Sequence, residues 1–478
     1  MYYVNENYHF FKYKDKYFAY GIYTKILAEI SPLTYSLVQQ LPNDISIIAK
    51  QFSNQYSMKE INETINELKK YKIILRKKTN KKISLQNRNF FKKNDIINNL
   101  KFNGLYLVIS QDCNLRCKYC SAEYGRFGKN PENKFMTVEV AKKALDYFFD
   151  NLQYDLENLT IVFIGGEPLL NFDTLKESVE YSRRRYRRPM NFIMNTNGIL
   201  MDDEKAKWFA NNKDISVRFS VDGTKEMHDT SRIYPNGKGS YNDTIKGLMT
   251  FMKYNTSQIT IQASIYKGRK FKDVINHLWG LGATRVIANF TGPSAFLDCS
   301  DYKMNEKDFE NYIEELDKVN EEIYNNLINK GHSRWITPTE GMIKNIHMRS
   351  LKTYYGICGA GHSISITPDG SIYVCQGFVG FEQYKIGTIY TGINYDKLEE
   401  FGEKWVQYLK KCSECWVRYS CSVACVAQGL IIEGLESKKP TKICDFSKRV
   451  FEASAYLYSK LLDEKPELFN TYNKEKIL

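Results

Sequence analysis

Between residues 104 and 290 the chain repeats one pattern: a short apolar run, then a stretch with helical spacing. The runs are GLYLVIS (104–110), LTIVFI (159–164), MNFIMN (190–195), ISVRFSV (215–221), QITIQASI (258–265) and TRVIANF (284–290). Between the first two lies TVEVAKKALDYFFDNL (137–152), an amphipathic helix with Thr137 as its N-cap. Apolar strands that alternate with helices are covered on both faces, which predicts an α/β domain with a parallel sheet. A doubly wound sheet and an incomplete barrel both satisfy the pattern, and both carry their chemistry at the C-terminal strand ends. The first run leads into CNLRCKYC (113–120), the second into GGEP (165–168), the third into NTNG (195–198) and the fourth into SVDG (220–223). Any one of these is an ordinary polar βα loop; together they mark one rim.

Cys113, Cys117 and Cys120 place three thiols within eight positions, and no fourth Cys or His follows nearby. Iron–sulfur and structural zinc sites usually take four protein ligands. At 478 residues the chain exceeds one hydrophobic core, so two or three domains are expected. A hydrophobic content of 43% argues against disorder. No long apolar run or signal-peptide pattern occurs, so the chain reads as cytoplasmic, neither exported nor membrane-spanning. In that compartment eleven Cys point to metal or redox chemistry rather than disulfides. No dinucleotide fingerprint or P-loop is present.

The net charge of +13 gathers in two runs, 76–93 and RRRYRR (183–188), which fit a nucleic acid, an acidic peptide or solvated surface. Before the first run, short strands over 8–29 and helices near 32–41, 44–53 and 57–72 resemble a winged helix. Its last helix, SMKEINETINELKKYK, carries five acidic or amide residues against four Lys, a poor surface for phosphates.

C-x3-C-x2-C with Tyr119 before the last Cys, followed by GGEP at a strand end, resembles the radical S-adenosylmethionine (SAM) superfamily over about residues 104–295. The resemblance implies a partial (β/α)6 barrel. It implies that Cys113, Cys117 and Cys120 hold a 4Fe-4S cluster whose open iron is chelated by SAM. An electron from a flavodoxin- or ferredoxin-type donor then yields a 5′-deoxyadenosyl radical, with the chemistry carried by the cofactor. By the same resemblance Gly165, Gly166 and Glu167 meet the SAM ammonium, Glu167 supplying the acceptor, and Pro168 belongs to the cofactor-binding set. Asn195, Ser220, Asp222 and Arg232 complete the cofactor set, and Tyr119 lies near the adenine or packs as an ordinary aromatic.

The C-terminal third holds seven further Cys: Cys358, Cys375, Cys412, Cys415, Cys421, Cys425 and Cys444. Their spacing alone also suits zinc. As a pattern they resemble the SPASM extension of peptide-modifying radical SAM enzymes. That implies an outer auxiliary cluster on Cys412, Cys415, Cys421 and Cys444, and an inner one on Cys358, Cys375 and Cys425. The inner set lacks a fourth ligand, leaving its iron open to a substrate thiolate or closed by Cys299. The expected organisation is a winged-helix-like, PqqD-like leader-recognition domain (1–80), a basic linker (81–100), the radical SAM barrel (101–300), a helical bridge (301–350), the SPASM domain (351–450) and a C-terminal tail (451–478). Leader capture is expected on a sheet edge at YFAYGI or KILAEI. The function implied is maturation of a ribosomally made, Cys-containing precursor peptide by thioether formation. A carbon–carbon crosslink, epimerisation or formylglycine is the alternative outcome, and a zinc-bearing nucleic-acid-binding protein is the outside reading.

Overall fold

The structure, a computed structural model, describes residues 2–77, 102–129, 133–152, 159–255, 258–290, 296–329, 334–349, 363–421, 425–433 and 442–470. The linker expected at 81–100, Cys358 and the chain beyond residue 470 lie outside the described residues.

The N-terminal segment forms β1 (Tyr3–Val4), β2 (Tyr8–Tyr13), β3 (Lys16–Gly21) and β4 (Leu27–Ile30), followed by α1 (Pro32–Gln39), α2 (Ile45–Phe52), α3 (Met58–Lys70) and β5 (Ile74–Leu75). Ser31, Asp44 and Ser57 cap the three helices, Ser57 in a reciprocal capping box with Glu60. Ile61, Ile65 and Leu68 recur at helical spacing on α3 and are buried against α1 and α2. β5 returns to pair with β1, while β2, β3 and β4 form a separate antiparallel sheet in that order. The segment therefore has two cores: Leu33, Leu37, Ile48, Ile61 and Leu68 pack together, whereas Phe11, Tyr13, Phe18 and Tyr20 join the main core of the molecule. The β2–β3 hairpin thus packs into the main core, while α1–α3 and the β1–β5 pair close a small core of their own.

The six apolar runs become β6 (Gly104–Ser110), β7 (Leu159–Gly165), β8 (Met190–Thr196), β9 (Ile215–Ser220), β10 (Thr260–Ile265) and β11 (Arg285–Phe290). Five helices connect them on the outside: α4 (Val138–Asp150), α5 (Phe172–Arg185), α6 (Asp203–Asn211), α7 (Tyr241–Tyr254) and α8 (Phe271–Gly280). Thr137 caps α4 by accepting from the Val140 N–H. Each strand pairs in parallel with the one before it, and the order never reverses. A doubly wound sheet needs a reversal, so the six strands form the incomplete barrel. After α9 (Glu306–Asn329), β12 (Trp335–Thr337) extends the β11 edge in parallel. Beyond α10 (Thr339–Met348), β13 (Ser363–Ile366) lies parallel to β6, and β14 (Ser371–Tyr373), β15 (Lys385–Thr388) and β16 (Gly392–Ile393) continue antiparallel. The barrel and the C-terminal region thereby share one 11-stranded sheet. Strand parity divides its faces: Leu105, Leu107 and Ile109 pack under the helices, while Tyr106 and Val108 face the lumen.

Two final helices, α11 (Tyr395–Leu409) and α12 (Lys442–Glu464), complete the body. The β2–β3 hairpin rests on α12 and on the Cys-rich loop before it: His9 stacks on Trp416 at 3.9 Å, and Phe451 packs against Phe11 and Tyr20. Tyr20 Oη and Ser420 Oγ lie 2.9 Å apart, and Arg418 donates to Tyr23 Oη at 2.6 Å. In the basic run 183–188, Arg183 pairs with Asp214 at 2.6 Å, Arg184 with Glu177 at 3.0 Å and Arg185 with Asp146 at 3.1 Å. Those three charges answer carboxylates of the barrel itself. Among the described residues no helix is long and apolar enough to cross a membrane.

Candidate active site

At the C-terminal rim of the barrel a cavity of ≈ 490 Å³ opens between the loop after β6 and the C-terminal region. That size is within the range of small-molecule sites. Cys113, Cys117 and Cys120 line it, with Gly165, Gly166, Glu167 and Pro168 from the β7 loop, Asn195 from β8, and Ser220, Tyr119 and Arg232.

Backbone contacts fix the Cys loop in place. Gly166 N–H donates to Ser110 C=O at 2.8 Å and Glu167 N–H to Asp112 C=O at 2.9 Å, so the β6 and β7 loops are laid directly on each other. A Cβ on Gly165, whose φ is +142°, would fall 1.9 Å from Ser110 O, and one on Gly166 would fall 2.1 Å from Asp112 O. Both positions therefore require glycine because the cysteine loop runs across them, whatever else they contact. On its other side the loop is held by Arg116 N–H to Ile233 C=O at 2.7 Å and Lys118 N–H to Ser231 C=O at 3.0 Å.

Glu167 is 1% exposed and its carboxylate accepts three hydrogen bonds, from Leu169 N–H at 3.0 Å, Thr196 Oγ1–H at 2.8 Å and Asn197 N–H at 2.8 Å. Burial pushes its pKa up to about 7 against those donors. Its carboxylate thus ties the GGEP loop to the end of β8. Asp222, expected among the cofactor contacts, stands one layer behind the cavity. Oδ2 accepts from Tyr119 Oη–H and from Arg232 Nε at 2.9 Å, and Oδ1 from Ser264 N–H at 2.9 Å. Burial works to raise its pKa, but the Arg232 guanidinium and these donors hold it below the usual carboxylate value. Arg232 reaches the cavity wall, its Nη1 4.0 Å from Cys117 Sγ.

The donor set can be tested against the groups the motif implies. Leu115 N–H points at Cys113 Sγ (3.4 Å) and Tyr124 N–H at Cys120 Sγ (3.2 Å), geometry that favours sulfur carrying negative charge. Burial pushes all three thiols up, Cys117 to about 12, so they stay protonated until a metal centre takes them as thiolates. Among the described residues no three Cys, His, Asp or Glu side chains converge closely enough for a single metal ion. All three thiols line the wall of one cavity. For a polar ligand above them, Asn195 Oδ1 is buried without a hydrogen-bond partner. The residues fit both an iron–sulfur cluster and SAM.

The C-terminal cysteines fall into two places. Cys425 is exposed and lines the same cavity as the first three, as do Gln376 and Gly377 directly after Cys375. At the outer position, Cys415 N–H donates to Cys412 C=O at 3.1 Å and Ser447 Oγ–H to Cys421 Sγ at 3.4 Å. Burial raises the Cys415 pKa, and Cys421 and Cys444 add to the effect. Cys299 is elsewhere. It is 5% exposed, packed with Tyr119 and Tyr266 behind the first cysteine loop, its Sγ 3.7 Å from Lys118 O, and outside the residues lining the cavity that holds Cys425.

The sequence reading missed Gln262 and Ser264 on β10 and Asn289 on β11, all on the cavity wall. The available signal was parity: both β10 residues alternate with buried Ile261, Ala263 and Ile265. Facing them, Phe296 and Phe381 meet at 4.9 Å, and Lys129 pairs with Glu382, so the C-terminal region clasps the barrel mouth.

Residues 107–278 match the family described as the radical SAM superfamily. The radical SAM cyclopropyl synthase TigE of Paramaledivibacter caminithermalis is 25% identical over 465 residues, covering 93% of this chain and 92% of that protein. A cysteine-type anaerobic sulfatase-maturating enzyme of Clostridium novyi is 26% identical over 329 residues, covering 64% and 83%. In structure, anSMEcpe with bound AdoMet superposes with a TM-score of 0.59 at 20% identity, covering 77% of this chain and 99% of that one. Streptococcus suis SuiB bound to its precursor peptide SuiA superposes at 0.53 and 16% identity, covering 92% and 99%. These two share the fold. The match at 107–278 falls on the strands and loops that frame the cavity, so this part of the chain is similar to the radical SAM superfamily, and the chain around it to a cyclopropyl synthase and a sulfatase-maturating enzyme.

Proposed function

We propose that the chain modifies a ribosomally made, Cys-containing precursor peptide, joining a Cys sulfur to a carbon of another residue. Cys113, Cys117 and Cys120 hold the cluster that chelates SAM, and the two together supply a hydrogen-abstracting radical when reduced by a flavodoxin- or ferredoxin-type donor. Tyr119, Gly165, Gly166, Glu167, Pro168, Asn195, Ser220 and Arg232 shape the SAM pocket, with Asp222 bracing it from behind. Cys412, Cys415, Cys421 and Cys444 hold the outer auxiliary cluster, and Cys358, Cys375 and Cys425 the inner one. The single observation that carries the thioether reading is Cys425, exposed on the wall of the cavity that the SAM-cluster cysteines line. An inner cluster on Cys358, Cys375 and Cys425 with an iron open at that wall would take a substrate thiolate, which a metal holds deprotonated. The leader would enter at β4: β3 (YFAYGI) is central in its sheet, whereas KILAEI contains the edge strand β4.

One observation favours a carbon–carbon outcome. A relative spanning nearly the whole chain is a cyclopropyl synthase, and a cyclopropane closes through carbon alone. Both products lose two hydrogens. Incubating enzyme, SAM and reductant with a Cys-containing precursor peptide, then alkylating with iodoacetamide, separates them by mass spectrometry. Thioether formation predicts a peptide short of two hydrogens whose Cys resists alkylation. The same mass loss with a fully alkylated Cys supports the carbon–carbon reading instead.

A further inference from the structure

Behind the cavity, Asp222 and Arg232 are joined twice. At the front, Arg232 Nε donates to Asp222 Oδ2 at 2.9 Å, with side chains 10% and 0% exposed. At the back, the Asp222 N–H donates to His228 Nδ1 at 3.4 Å. That leaves the ring proton on Nε2, which donates to Ser240 Oγ at 3.1 Å, and Ser240 Oγ–H donates to Arg232 C=O at 2.8 Å. Each group is used once in the sense its chemistry allows. His228 is fully buried, and burial lowers its pKa to about 4, so it is neutral at physiological pH as this chain of donors requires. Tyr119 Oη–H and Ser264 N–H also donate to the carboxylate. The guanidinium is left with its Nη side toward Cys117 Sγ, 4.0 Å away. The ion pair is thus a fixed dipole with its positive end on a cysteine of the C-x3-C-x2-C motif.

We propose that Asp222, His228, Ser240 and Arg232 form a closed positioning ring that holds the Arg232 charge against Cys117 and so raises the reduction potential of the cluster on that loop. The proposal rests on the radical SAM reading of the three cysteines. The step it acts on is uptake of one electron by the cluster from the external donor. A nearby positive charge and an N–H directed at a ligand sulfur both favour the reduced form. His228 and Ser240 act through Arg232 and touch neither cluster nor substrate.

The test is the midpoint potential of the SAM-sensitive cluster, read by EPR-monitored potentiometry on anaerobic holoenzyme with its iron content measured. Arg232→Gln should move the midpoint negative. Asp222→Asn should move it positive, because the ring still holds an Arg232 whose charge is no longer offset. Arg232→Lys, which keeps the charge, should stay closer to the parent than Arg232→Gln does. Shifts of the same sign in Arg232→Gln and Asp222→Asn overturn the proposal, as does no shift in either, or a shift in Arg232→Lys as large as in Arg232→Gln. Absence of any SAM-sensitive signal in the parent would instead reject the cluster reading itself.

Discussion

Residues 8–30 and 31–77 are neighbours in sequence but belong to different bodies. The β2–β4 sheet puts Phe11, Tyr13, Phe18 and Tyr20 into the main core, against α12 and Trp416. The α1–α3 unit closes its own small core and returns to the chain start through the two-residue β1–β5 pairing. A hydrophobic face is assigned to a domain by what covers it and not by its neighbours in the chain. Removing residues 1–75 as one block therefore does not test peptide capture alone, because it also uncovers the body.

The largest effect that separates the two units is loss of a core ring. Phe18 is fully buried, its ring 5.0 Å from Phe11. Phe18→Ala should cost about 3–5 kcal/mol and lower the main thermal transition. Calorimetry that left this transition in place would detach the sheet from the body. Ile61, fully buried in the small core, should behave differently. Ile61→Ala should cost about 2–5 kcal/mol of the helical unit alone. Limited proteolysis should then cut within 31–77 while iron content and the main transition hold; a drop in both would merge the two units.

The junction also predicts a pH dependence. Burial, with Lys448 adding, lowers the His9 pKa from 6.5 to about 4. Above pH 6.5 both folded and unfolded states carry neutral His9 and its packing is fully expressed. As pH falls from 6.5 toward 4 the unfolded state binds a proton that the folded state refuses, so stability declines. His9→Phe should keep the ring stack and lose that part of the decline. Parallel melting-temperature profiles for parent and variant between pH 4 and 7 would rule out a buried, neutral His9. The smallest effect belongs to the rim. Lys16 reaches Glu29 at 2.7 Å and Asp463 at 2.9 Å, but both carboxylates are well exposed. Lys16→Met should change stability by about 1 kcal/mol or less; a larger loss would make this ion pair part of what fixes the sheet.

How legible these regions were follows from how local their signals are. Each of β6–β11 matches its apolar run to within two residues at either end, and Thr137 marked the start of α4, because strand and cap signals are carried by neighbouring residues. The GGEP loop was legible as a site, but not its reason for glycine, which lies in Ser110 and Asp112 more than fifty positions earlier. Alternation gave the apolar face of β2 and β3; nothing in it named Trp416 or Ser420 as the surface beneath. Asp222 was expected as a cofactor contact from the resemblance alone, and its pairing with Arg232 and Tyr119 exists only in three dimensions. Cys299 was equally ambiguous: a buried Cys reads the same in sequence whether it packs or ligates.

The account stands on the three cysteines of the β6 loop, and one measurement addresses them directly. Anaerobically reconstituted protein is incubated with SAM and dithionite, and 5′-deoxyadenosine is quantified beside iron content, for the parent and for the combined Cys113→Ala, Cys117→Ala and Cys120→Ala variant. The parent should form 5′-deoxyadenosine, and the variant should lose about four irons per chain together with all SAM cleavage. Cleavage that persists in the variant, or a parent that binds zinc without iron, contradicts the account.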